Sequence, residues 1–196
     1  LDSPLLSLSA AGSSGISIDA SNLYANGPDG GSVTLDSAAG ASPLTLANSF
    51  IDARYDPYSS LYSLDPVTYG QGGSISGIGS VIDLSYSNFY TSGAQTGGLI
   101  EFGVASAGAS PTTSLSLLGS TLVADPAGTG GTIGLDSSGS ITVSSSTLNV
   151  YGTTGGSLSI GSATTSSVAL DSGTSLQGGS GLTQAINGAS VANNST

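Results

Sequence analysis

The chain has no cysteine, histidine, lysine, methionine or tryptophan, and its one cation is Arg54. Each absence closes off some chemistry. Without thiols or imidazoles there is no structural zinc site, haem ligand, thiol nucleophile or Ser-His-Asp triad. Lacking lysine, it can form neither a P-loop nor a Schiff base. One cation in 196 residues offers almost nothing to grip a phosphate backbone or an anionic lipid surface, so neither nucleic acid nor membrane insertion is expected. No disulfide staples the fold, so secretion cannot be read from cysteine. No apolar run approaches the roughly 18 residues that span a bilayer. Residues 5–11 lack the basic flank of a signal peptide. The first residue is Leu1 rather than Met, as expected of a processed chain or an excised segment.

What is abundant is small or acidic. Gly accounts for 31 residues and Ser for 41, while 11 Asp and Glu101 bring the net charge to −11. Leu, Ile, Val and Phe supply 45 residues, just above the level of roughly 20% below which chains tend to be disordered. An acidic, thiol-free chain is compatible with an extracellular or saline setting.

Self-similarity carries the main signal. Glycine pairs recur at Gly30-Gly31, Gly72-Gly73, Gly97-Gly98, Gly130-Gly131, Gly155-Gly156 and Gly178-Gly179, a unit near 25 residues with insertions in two copies. Just beyond the pairs come apolar-x-apolar steps at Val33/Leu35, Ile100/Phe102, Ile133/Leu135 and Leu158/Ile160; after Ile75 the second place falls to Gly77. A second step follows, with one apolar residue five positions on. It appears as Ile16/Ile18 then Leu23, Leu44/Leu46 then Ile51, and Ile82/Leu84 then Phe89. Leu115/Leu117 then Leu122 and Ile141/Val143 then Leu148 repeat it, whereas after Val168/Leu170 the due place holds Ser175 and Leu176 comes one later.

Period two means strands with alternate side chains on one face. Three short strands in about 25 residues, joined by Gly/Ser/Asn/Asp turns, predict one rung of a coil. Each strand would pair in parallel with its equivalent in the next rung, about 4.8 Å away, and stacking would complete a core that no single rung can bury. The expected fold is all-β: a single-stranded parallel β-helix (β-solenoid) of about six rungs of three short strands. Residues 1–196 form one domain or a segment of a longer one, with a long loop inserted in the second rung at 52–71 and a less regular tail at 180–196. Outward columns such as Ser17, Thr45, Asp83, Ser116, Thr142 and Ala169 read as ladders of mainly Ser and Thr. A column of like charges at that spacing would cost ~1 kcal/mol per contact even in bulk water, and the acids rarely share a column on consecutive rungs.

The repeat is cleanest over residues 131–152: Gly131, Thr132, Ile133, Leu135, then Ile141, Val143, Ser146, Leu148, Val150 and Gly152. This unit resembles the repeats of filamentous-haemagglutinin-like bacterial exoproteins. The resemblance implies a right-handed parallel β-helix, secretion to the bacterial cell surface, and a role as surface fibre or adhesin. Such repeats are scaffold, so no functional residue carries over, and the family's N-terminal secretion domain is not evident in the sequence.

Candidate sites lie where the repeat is interrupted. The insertion holds Arg54, Tyr55, Tyr58, Tyr62 and Tyr69, and loops projecting from a rod often form its binding face. Rigid amphipathic tyrosines suit sugar stacking or protein contact. The alternative is a covering loop that lies over the rod's flank with Arg54 paired to a nearby Asp. Asp52, Asp56 and Asp65 are the best calcium candidates, though no Asp-x-Asp spacing marks a site. The 103–114 excursion reads as a plain flexible loop, and Tyr24, Tyr86, Tyr90 and Tyr151 as scattered surface or turn packing. A polysaccharide-degrading enzyme needs two carboxyls on one face; Asp83 and Glu101 are the nearest pair by rung but belong to different strands.

The expectation is a non-enzymatic structural rod without cofactor or metal. Its partners would be further rungs of the same chain or copies of itself, and surface glycans or a receptor if the loop is a binding module. The lack of an obvious terminal cap points to continuation or end-to-end stacking, since an open strand edge is a template for more strands.

Overall fold

A computed structural model describes residues 4–27, 30–37, 41–56, 70–104, 109–125 and 128–195. The first turn of chain comprises β1 (Leu5–Ala10), β2 (Ile16–Asp19) and β3 (Asn22–Tyr24). The second has β4 (Ser32–Ser37), β5 (Leu44–Ala47) and β6 (Phe50–Asp52), and the third β7 (Ser74–Ile78), β8 (Val81–Ser85) and β9 (Asn88–Tyr90). The fourth holds β10 (Leu99–Phe102), β11 (Ser114–Leu118) and β12 (Thr121–Val123), and the fifth β13 (Thr129–Leu135), β14 (Ser140–Ser144) and β15 (Thr147–Val150). In the sixth are β16 (Thr154–Ile160), β17 (Ser167–Leu170) and β18 (Ser175–Gly178); β19 (Thr183–Ile186) and β20 (Ser190–Asn193) begin a seventh.

Every third strand is hydrogen-bonded to the next. This gives sheets ordered β1-β4-β7-β10-β13-β16-β19, β2-β5-β8-β11-β14-β17-β20 and β3-β6-β9-β12-β15-β18. Adjacent strands in all three run parallel, as in Ile16↔Leu44 and Leu44↔Ile82. The chain is a parallel β-solenoid, about 30 Å long at ~4.8 Å per turn.

The apolar steps supply the interior. Leu44, Ile82, Leu115, Ile141 and Val168 stand in one column, and Ile51, Phe89, Leu122 and Leu148 in another, all buried. Gly77 breaks its column for a reason visible only across turns. A Cβ there would lie 2.7 Å from ring carbons of Phe102, its partner on the fourth turn. Phe102 fills that space and packs edge-on against Phe89, ring centroids 5.2 Å apart. One small and one large residue conserve the column's volume.

Two corner devices recur. Where the third sheet meets the first, paired glycines let backbone pack on backbone. A Cβ on Gly31 would come within 1.5 Å of the Ala25 carbonyl oxygen. Where the second sheet meets the third, a residue at positive φ precedes a serine. Ala20, Asn48, Tyr86, Gly119 and Ser145, with φ between 47° and 59°, stand before Ser21, Ser49, Ser87, Ser120 and Ser146. The last four serines are buried. Each accepts the N–H of the equivalent serine one turn earlier: Ser21 N–H to Ser49 Oγ at 3.3 Å, and Ser49 to Ser87, Ser87 to Ser120 and Ser120 to Ser146 at 3.1 Å. Each hydroxyl in turn donates to a backbone carbonyl, as from Ser87 to Ser85 at 3.0 Å. The continuous hydroxyl ladder thus runs inside the corner, in addition to the outward Ser/Thr columns.

The delayed Leu176 has a local cause. The corner between β17 and β18 contains one residue more than the equivalent corners of the other turns, so Leu176 still pairs with Leu148. Buried Thr174 takes the ladder position and donates to the Val143 carbonyl at 3.0 Å. The coil also continues through the stretch expected to be less regular. There Gln184 and Asn193 occupy positions in register with Leu158 and Leu170, which erases the apolar alternation that would mark strands in the sequence.

Candidate functional site

The described part of the insertion belongs to the solenoid. Asp52 ends β6, the Ala53 N–H donates to the Tyr90 carbonyl, and the Tyr55 N–H donates to that of Ser92 at 3.1 Å. Tyr55 also bridges to Gly27, and the Asp56 N–H donates to the Gly27 carbonyl at 2.9 Å. Tyr58, Tyr62, Tyr69 and Asp65 lie outside the described residues.

Parallel stacking assembles a polar and aromatic cluster on the outer side of the third sheet. Asp52 is in register with Tyr24 below and Tyr90 above; Phe50 is in register with Asn22 and Asn88. Its ring leans diagonally against both tyrosines, centroids 5.8 Å from Tyr24 and 5.2 Å from Tyr90. Arg54 reaches back over Asp52, with Nε donating to Oδ1 at 2.9 Å and Nη2 to Oδ2 at 2.6 Å. Its guanidinium carbon sits 5.0 Å from the Tyr90 ring centroid, within cation–π range. The Arg54 N–H is shared between Asp52 Oδ1 and Asn26 Oδ1, both at 3.0 Å.

The electrostatics follow from this geometry. Burial is the largest influence on Asp52 and pushes its pKa up. The bonds from the Arg54 side chain and backbone outweigh it and hold the carboxyl below its ordinary value. Hydrogen bonding to Asp52 raises the Arg54 pKa further, against the opposing effect of its own burial. The two-pronged bond fixes the guanidinium plane, and the sole cation is locally neutralised. Arg54 thus has the pairing that the covering-loop reading expected.

Other candidates are dispersed. Among the described residues no group of three or more His, Cys, Asp or Glu is placed to hold a metal ion. Asp83 lies on β8 and Glu101 on β10, in different sheets. Glu101 instead shares a groove of about 240 Å³ with Asp136, Val104 and Gly134. Asp136 Oδ1 there accepts the Ser137 N–H at 2.8 Å, a turn-capping role. A second groove, about 480 Å³, follows the glycine corner and is lined by Gly31, Gly73, Gly98 and Gly131 with the hydroxyl residues Ser32, Ser74 and Thr132.

No family model, curated protein or solved structure matches the chain. The site must therefore be read from its own chemistry. The residue that joins the cluster, Phe50, lies outside the repeated apolar positions. No signal within one turn links it to Tyr24 or Tyr90; the link appears once the turns are stacked in register.

Proposed function

We propose that this chain is a non-enzymatic structural rod, a segment of an extracellular bacterial surface fibre or adhesin. Its mechanism is parallel strand stacking around a dry aliphatic interior. The observation that carries the reading is the open stack. Among the described residues β1, β2 and β3 each have a strand partner on one side only. The inward Leu6, Leu8, Ile16, Ile18 and Leu23 of that turn stay partly exposed. Unpaired strand edges over an apolar floor favour a further parallel turn, from the same polypeptide or from another copy. A head-to-tail contact of that kind repeats into a filament.

The surface reading is tested by immunogold labelling of intact cells of the producing bacterium with antibodies against the rod. Labelling of unpermeabilised cells is expected; labelling confined to lysed cells overturns it. Light scattering across a concentration series tests the stacking of copies. Growth in mass is expected, and a strictly monomeric rod at high concentration rules out self-assembly.

A further inference from the structure

We propose that Asn187–Gly188, at the corner between β19 and β20, is a site of spontaneous deamidation through a succinimide, a modification from which the fold protects the same dipeptide at Asn26–Gly27. The chemistry needs only this corner and water, so its failure leaves the structural reading intact.

The reaction is intramolecular. The backbone nitrogen of the residue after an asparagine attacks the side-chain Cγ and forms a C–N bond. The side-chain nitrogen leaves as ammonia, carrying the proton given up by the attacking nitrogen. Water then opens the five-membered imide at either carbonyl, giving aspartate or isoaspartate, and nothing is oxidised or reduced. The rate rises when the attacking nitrogen is free of a hydrogen bond, when its residue is as adaptable as glycine, and when the side chain lies against it.

The chain has two Asn–Gly pairs, and the fold treats them oppositely. Asn187 is exposed. Its own N–H donates to the Ile160 carbonyl at 2.9 Å, and the Ala189 N–H to that of Thr165 at 2.9 Å. Between these two anchors the Gly188 N–H has no hydrogen-bond partner among the described residues. The reach of the side chain is visible two turns earlier. Leu135, Ile160 and Ile186 are in register, so Asp136 stands where Asn187 does, and its Oδ1 lies 2.8 Å from the backbone nitrogen of Ser137. A carboxamide at the same place in the corner has its Cγ within reach of the Gly188 nitrogen. Asn26–Gly27, by contrast, is held. Asn26 Oδ1 accepts the Arg54 N–H at 3.0 Å, and the Gly27 N–H donates to the Arg54 carbonyl at 3.4 Å. Gly27 is also buried, with Pro4 Cδ 2.5 Å from where a Cβ would stand.

The two products differ in what they do to the coil. Aspartate reproduces the residue that caps this corner on the fifth turn. Isoaspartate adds a methylene to the main chain just before β20, which disturbs the register of Ser190 with Ser167 and of Val191 with Val168 on the seventh turn.

The test is incubation of the whole chain in mildly alkaline buffer, with and without denaturing urea. Mass spectrometry of peptic peptides and labelling by an isoaspartate-specific methyltransferase follow the reaction. In the folded chain the Asn187 peptide should gain one mass unit and accept the methyl label, while Asn26 reacts about tenfold or more slowly. In urea that difference should vanish. Gly188→Ala, whose added Cβ meets nothing closer than 3.3 Å, should slow the reaction at Asn187 by about tenfold. Circular dichroism checks that this variant folds, and the comparison of folded with urea-treated wild type decides the matter without it. Equal rates at the two asparagines in the folded chain, an intact Asn187 amide while the urea-treated chain reacts, gain of mass without the methyl label, or a folded Gly188→Ala that reacts like wild type overturns the proposal.

Discussion

Thr91→Val should stabilise the solenoid. Thr91 follows Phe89 by two residues, in the inward position that Ala25, Ala53, Ala124 and Val150 fill on other turns, and it is fully buried. Its Oγ1 has no hydrogen-bond partner. A buried donor left unsatisfied costs about 1–3 kcal/mol, and the added methyl contributes up to about 0.8 kcal/mol. Valine already fits this column: Val150 packs beside Gly156 much as Thr91 packs beside Gly98. The backbone bond from the Thr91 N–H to the Val123 carbonyl at 2.9 Å is unaffected by the change. The expected gain is about 1–3 kcal/mol, read as a higher urea midpoint at unchanged slope. Coincident circular dichroism and tyrosine fluorescence transitions would establish that one cooperative step is being measured. Thr91→Ser, which keeps the hydroxyl and loses the methyl, should be less stable than wild type. If valine is less stable than threonine, the hydroxyl has a partner and the packing argument for this column is wrong.

Three other outcomes follow from the interior and the corners. Ser87→Ala removes the acceptor of the Ser49 N–H and should cost about 1–3 kcal/mol, measured by urea denaturation. Gly77→Ala drives a methyl into the Phe102 ring and should cost about 1–3 kcal/mol; adding Phe102→Leu should recover part of that loss, and simple additivity in the double-mutant cycle would refute the coupling. Acid should weaken the fold through Asp171 and Asp52. The Ser144 hydroxyl, the Ser145 N–H and the Thr174 hydroxyl hold the Asp171 pKa at about 2, and Asp52 is lowered as well. Both folded values lie below the unfolded one, so their stabilisation is complete above about pH 4 and lost as pH falls toward 2. Melting temperature should drop through that window, less steeply for Asp171→Asn; an identical slope in the variant would contradict the assignment.

The solenoid was legible in the sequence because its interior repeats on every turn. The spacing from Ile141 through Val143 to Leu148 recurs closely enough to set strand positions before any coordinates. The features that escaped are those settled between turns. Gly77 reads as a defect until Phe102 is seen filling its space. Thr174 and Leu176 read as a break until the longer corner between β17 and β18 is seen to restore register. The serine before each third strand was visible as part of the repeat. In a chain with 41 serines, however, what distinguishes Ser49, Ser87, Ser120 and Ser146 is that each is buried and accepts the N–H of its equivalent one turn earlier, and both depend on the fold. The aromatic cluster was harder still, since Tyr24, Phe50 and Tyr90 become neighbours only when the outward positions of three turns are aligned. Of the candidate residues, Asp52 and Arg54 pair with each other, and the Tyr55 backbone bridges to Gly27 and bonds to Ser92, so these described residues belong to the rung.

The central claim is that equivalent positions of successive turns stand one above another. The chain has no native cysteine, so paired spin labels can be placed without background. Ser17, Thr142, Ala169 and Ala192 are exposed positions in the second sheet, on the first, fifth, sixth and seventh turns. Dipolar electron resonance from a label at Ser17→Cys to labels at the other three should give distances rising by about 4.8 Å per turn, near 19, 24 and 29 Å between backbones. Distances that fail to rise in that order would mean that the strands are arranged as a sandwich or meander, and the stacked-turn account would fall with them.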